Sequence, residues 1–111
     1  MDVFYALADP TRRKILELLA KHGQLPASEI YSQFTASPPA ISQHLKVLRE
    51  AGLVKMEKHA QQHLYQVNPQ AMLEVEDWSK QVTQLWTRRL DKLDEILKVE
   101  KEKIKDKGKD V

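Results

Sequence analysis

Ser37-Pro38-Pro39-Ala40-Ile41-Ser42-Gln43-His44-Leu45-Lys46-Val47-Leu48-Arg49-Glu50-Ala51-Gly52 separates into two faces when wound at about 100° per residue. Ile41, Leu45 and Leu48 fall at i, i+4 and i+7 and form one stripe to be buried, and Gly52 ends the helix. Pro39, Gln43 and Lys46 then point outward, with Ala40, Ser42 and Val47 at the margins. Proline in the first turn sacrifices no intrahelical bond. A helix anchored by one face and lined on the other by small or hydrogen-bonding residues suits the major groove of duplex DNA. There Gln43 can pair with an adenine edge, Lys46 can reach guanine or phosphate, and Ser37 or Ser42 can serve bases or backbone. His44 fits the same interface or the packing beside it. An ordinary amphipathic helix with a polar outer face is the plainer reading of this stretch.

Upstream, Ala27 to Phe34 places Ile30 and Phe34 four apart, and Thr35-Ala36-Ser37 breaks the pattern, so two short helices meet at a tight turn. Asp9-Pro10 starts an earlier helix, with Asp9 as N-cap and proline where its missing donor costs nothing. Ile15, Leu16, Leu18 and Leu19 give that helix its apolar face and Gly23 stops it. Val3, Phe4 and Leu7 lie at helical spacing before it. Arg12 and Arg13 are candidate phosphate contacts, or plain surface cations.

Downstream, Leu53 to Lys58 and His63 to Val67 are β-compatible runs joined by His59-Ala60-Gln61-Gln62, a short hairpin that must pack on the helices to be stable. Lys58, His59, Gln61 and Gln62, with Lys55 and His63, make a polar, partly basic tip suited to phosphate or minor-groove contacts, or a solvated turn. From Pro69 a long helix carries Met72, Val75, Trp78, Val82, Leu85, Trp86, Leu90, Leu93 and Leu97 on one broad stripe without a strict heptad. Trp86, Leu90 and Leu93 exceed what one helix beside a small body can bury, which predicts a dimer. The fold class expected is mainly α (α+β), a winged helix-turn-helix with a β-hairpin wing and long N- and C-terminal dimerisation helices. It occupies residues 1–98, and the charged stretch 99–111 reads as a frayed or disordered tail.

The 111 residues suit a single domain. Six lysines and four acids from Lys98 onward account for the net charge of +2, leaving the body formally neutral, so nucleic-acid binding has to come from local patches. Cysteine is absent, which excludes disulfides and thiolate chemistry and agrees with a reducing compartment. No apolar run approaches the roughly 20 residues of a membrane span and the start is not signal-like, so a cytoplasmic chain without membrane contact is expected. No Gly-rich phosphate loop, Ser/His/Asp arrangement or plausible carboxylate pair is evident, and neither enzyme activity nor a cofactor is expected.

Phe4 to Leu16, containing Ala8-Asp9-Pro10-Thr11-Arg12-Arg13, and Ser42 to Val54, containing Gln43-His44-Leu45-Lys46-Val47-Leu48-Arg49-Glu50-Ala51-Gly52-Leu53, resemble the ArsR/SmtB family of winged-helix repressors. The resemblance extends to Leu64-Tyr65 and to Leu85-Trp86-Thr87-Arg88-Arg89-Leu90-Asp91, and covers nearly the whole chain. It implies a homodimer joined through the first and last helices, placing Val3, Phe4, Leu7, Trp78, Val82, Leu85, Trp86, Leu90 and Leu93 at the interface. It also implies an inverted-repeat operator in double-stranded DNA and repression of transcription. Thr35 stands where the turn often has glycine, and Pro26 stands where a capping Ser or Thr is usual. The family's better-known metal sensors use cysteines before the recognition helix or Asp and His in the last helix. This chain has Glu29-Ile30-Tyr31-Ser32 in the first place and no histidine after His63, so it looks like the branch without metal sites. His59 and His63, two imidazoles without a carboxylate, make a poor metal site. No small-molecule inducer can be named from the sequence. The near-neutral body keeps open a winged-helix module that binds only protein.

Overall fold

The computed structural model describes the backbone of residues 2–109 and the side chains of residues 2–104. The elements run α1 (Val3–Leu7), α2 (Pro10–His22), β1 (Gln24–Pro26), α3 (Ala27–Ser32), α4 (Pro38–Glu50), β2 (Val54–His59), β3 (Gln62–Val67) and α5 (Pro69–Lys109). The chain forms two compact units, one up to Val75 and one from Glu76 onward.

Three helices start with the same two-residue device. Asp9-Pro10, Ser37-Pro38 and Asn68-Pro69 each put a side-chain oxygen in front of a proline, and that oxygen accepts from backbone N–H groups of Thr11 and Arg12, of Ala40, and of Gln70 respectively. The cap satisfies orphan donors of the first turn and the proline pre-sets φ. α1 spans only five residues, not the long N-terminal helix expected, because the Asp9-Pro10 start follows directly on its end. α3 begins at Ala27 with Pro26 in the N-cap position and no side-chain cap, as the sequence departure there implied.

In the first unit Ile41, Leu45 and Leu48 of α4 are 0, 1 and 0% exposed, and they meet Ile15 and Leu19 of α2, Ile30 of α3 and Leu53 in one core. Each such side chain contributes about 1.5 to 3 kcal/mol by leaving water. Ala71, Met72 and Val75 of α5 lie half-buried against that core. Val3, expected at a dimer interface, is 5% exposed and belongs to the core. On a one-and-a-half-turn helix it occupies the same inward face as Ala6, also buried. Phe4 and Leu7 are half-buried beside it.

The sheet is antiparallel with order β1-β3-β2. β1 is a strand the sequence reading missed: three residues ending in proline carry too short an alternation to register, and Pro26 is tolerated because β1 lies at an edge. Val54, Met56, Tyr65, Val67 and Leu25 line the covered face while Lys55 and Glu57 stand outside. β2 and β3 each reach one residue further toward the tip than expected, and β2 starts one residue later, pairing His59 with Gln62 across the two-residue turn Ala60-Gln61. Ala60 takes φ +54°, the left-handed conformation that a tight turn needs and that alanine resists by roughly 1 to 2 kcal/mol.

The second unit is the remainder of α5. Trp78, Val82, Leu85, Trp86, Leu90, Leu93, Ile96 and Leu97 are all exposed along it. Residues 99–109, expected as a frayed or disordered tail, are helical, in keeping with a run free of glycine and proline up to Gly108. The last two residues of that expected tail lie outside the described residues.

Candidate nucleic-acid interface

α3 and α4 are joined by the turn Gln33 to Ser37, and Thr35 holds it without a positive φ, so the missing glycine requires no left-handed residue there. α4 is fixed from three sides. Its apolar stripe is sunk in the core, the Ser37 hydroxyl caps its start at 3.4 Å from the Ala40 nitrogen, and Gly52 leaves it with φ +79°. Pro39, Ala40, Ser42, Gln43 and Lys46 are exposed on the opposite side, and Val47 is half-buried at the margin. The outer face therefore carries an amide, an ammonium and a hydroxyl on a rigid support, which are the donors and acceptors that read base edges and phosphates.

The wing tip is exposed from Glu57 to His63. Register brings Lys58 opposite His63 and His59 opposite Gln62, with Gln61 in the turn. His59 is turned toward Glu57, Nε2 to Oε2 3.2 Å, rather than toward His63. Among the described residues no group of three or more His, Cys, Asp or Glu is placed to hold a metal ion.

Between α4 and the wing run two grooves, of about 380 and 460 Å³, and Ser42 and Tyr65 border both. Ser28, Tyr31 and Gln62 line the first; Lys46 and Arg49 line the second. Tyr65, Tyr31 and Arg49 were not among the expected site residues. The signal for Tyr65 was present in the strand alternation, which places it inward. Burial pushes its phenol above the ordinary value while the neighbouring Arg49 pulls the other way.

Two expected contacts fall elsewhere. Arg12 is not a free surface cation: Nε donates to the Ala6 carbonyl at 2.6 Å and Nη2 to the Tyr5 carbonyl at 3.2 Å, with the guanidinium 5.5 Å over the Tyr5 ring. Arg13 donates to the Leu7 carbonyl at 2.6 Å. Both arginines thus satisfy the carbonyls at the end of α1, where cations complement the helix dipole. His44 is half-buried on the flank of α4 toward α2, with Nδ1 3.3 Å from Arg12 Nη1.

Residues 9–56 match the family described as bacterial regulatory protein, arsR family. The transcriptional repressor SdpR of Bacillus subtilis (strain 168) is 39% identical over 77 residues, which is 69% of this chain and 84% of that protein. The arsenical resistance operon repressor of Escherichia coli (strain K12) is 30% identical over 99 residues, 88% of this chain and 81% of its own. Among solved structures, an ArsR-like transcriptional regulator from Rhodococcus sp. RHA1 superposes with a TM-score of 0.73 at 30% identity, covering 85% of this chain and 88% of that one.

Proposed function

The chain belongs to the ArsR family of bacterial transcriptional regulators, and from that premise we propose that it represses transcription by binding an inverted-repeat operator as a homodimer. The observation that carries this reading is α4: one face 0 to 1% exposed in the core, the other presenting Ser42, Gln43 and Lys46 to solvent beside a polar wing tip. Gln43 reads a base, Lys46 adds a phosphate or guanine contact, and Lys58, His59, Gln61 and Gln62 follow the backbone alongside. The exposed apolar residues Trp78, Val82, Leu85, Trp86, Leu90 and Leu93 of α5 supply the surface that a second copy covers. A two-fold pair of recognition helices spaced about one DNA turn, near 34 Å, then matches two half-sites.

The input is not arsenite or another thiophilic ion. Those ions need thiolates, and the chain has no cysteine, whatever the arsenical repressors it resembles respond to. No helix among the described residues is long and apolar enough to cross a membrane.

Fluorescence anisotropy with labelled fragments of the gene's own promoter, titrated across salt, tests the reading. Sequence-selective binding that weakens linearly in log salt is expected. Equal binding to all fragments, or none, defeats it, and the protein-binding module becomes the better account.

A further inference from the structure

The contact between Arg12 and His44 has a chemical consequence for the recognition helix. A guanidinium offers only donors and keeps its proton in proteins. With Arg12 Nη1 3.3 Å from His44 Nδ1, that ring nitrogen can only accept. The neutral imidazole then carries its single proton on Nε2. Arg12 cannot easily be turned away, because its other nitrogens are held by the Tyr5 and Ala6 carbonyls and its face by the Tyr5 ring. The Asp9 carboxylate, which accepts from the Arg12 and Thr11 backbone, adds a negative charge beside the pair. Among the described residues no hydrogen bond reaches His44 Nε2, and no side-chain nitrogen or oxygen there is both buried and unpartnered, so Nε2 opens to solvent.

We propose that Arg12 is a positioning residue that fixes His44 as an Nε2–H donor, and that this donor binds a phosphate of the DNA backbone at the flank of α4. The proposal rests on the DNA-binding reading above. A phosphate oxygen only accepts, so the other tautomer would set lone pair against lone pair. His44 follows Gln43 directly in sequence but lies on the α2 side of the helix, and so grips the backbone where Gln43 meets a base. Backbone contacts of this kind set the register in which a neighbouring side chain reads sequence. Arg12, expected to touch phosphate itself, acts instead through His44.

Two measurements on the full chain test this. In long-range proton–nitrogen spectra of the free protein, recorded where the ring is neutral, Nδ1 of His44 should resonate as an unprotonated, pyridine-like nitrogen and Nε2 as a protonated one; the reverse overturns the proposal. In anisotropy titrations with a random-sequence duplex at low salt, His44→Asn keeps an acceptor near the Nδ1 position but loses the outer donor, and should bind about tenfold more weakly. His44→Gln, with an amide N–H near the Nε2 position, should retain most of the affinity. Arg12→Lys should leave both tautomers populated and weaken binding, and combining it with His44→Asn should add nothing further. Wild-type affinity in a folded His44→Asn overturns this inference alone. A wild-type chain that binds no duplex overturns the regulator reading and this one with it.

Discussion

Asn68 Nδ2 donates to the Gly52 carbonyl at 2.7 Å, tying the exit of α4 to the start of α5 across sixteen residues. The Asn68 backbone N–H donates to the Leu53 carbonyl at 2.8 Å, and its Oδ1 accepts from Gln70 N–H at 3.3 Å as the cap of α5. One side chain closes the wing and starts the last helix. Asn68→Ala removes both side-chain bonds and should cost about 1 to 2 kcal/mol in urea unfolding. Asn68→Asp keeps the cap but turns a carboxylate oxygen on the Gly52 carbonyl, and should be no better than alanine. A neutral Asn68→Ala would mean that water replaces the tie.

On the recognition face, Gln43 and Lys46 should fail in different ways. Gln43→Ala is expected to cost about 1 to 3 kcal/mol on the operator and to relax preference at one position per half-site. Lys46→Ala should weaken all duplexes together and flatten the salt dependence. Unchanged preference in Gln43→Ala would put the base-reading residue elsewhere on α4.

Assembly is tested by mass. Equilibrium sedimentation of the wild type at micromolar concentration should give a dimer, and Leu90→Lys should shift it toward monomer. Leu90 is 46% exposed in the single chain, so the substitution leaves the protomer core intact and its melting measured at matched assembly state should barely move. A monomeric wild type would count against the operator geometry.

Asp9 supplies a pH dependence of known sign. Burial raises its carboxyl, but the backbone donors of Arg12 and Thr11 and the nearby Arg12 guanidinium outweigh that, and the folded value lies below the ordinary one. A depressed folded value means the stabilisation is present above about pH 4 and is lost as pH falls through the folded value. Asp9→Asn should keep most of the cap and lose that acid sensitivity; Asp9→Ala should lose about 1 kcal/mol at neutral pH. An unaltered acid branch of the unfolding curve in Asp9→Asn would show that another carboxylate is responsible.

Operator affinity should be the same with zinc, cadmium, nickel, arsenite or a chelator present. A tenfold change on stoichiometric addition of one ion, about 1.4 kcal/mol of coupling, would show a site assembled from scattered ligands.

Helix starts, helix stops and the two faces of α4 were legible in sequence because each depends on residues within a turn or two of one another. A cap and a proline are neighbours, a stripe repeats every three or four residues, and the sunken stripe Ile41, Leu45, Leu48 leaves Gln43 and Lys46 outside whatever it packs against. Hairpin register is local too, though a two-residue turn at Ala60 needed a left-handed alanine that composition does not announce. What only the tertiary structure decided lies at long separation. Arg12 meets His44 thirty-two residues away, Val3 finds the core instead of a partner, and Gln24 to Pro26 becomes a strand because Leu64 to Gln66 lies alongside. A guanidinium, a valine or a three-residue extended stretch carries no mark of its partner. Its role follows from which carbonyl, ring or strand the folded chain brings within reach, and that is a property of packing, not of spacing.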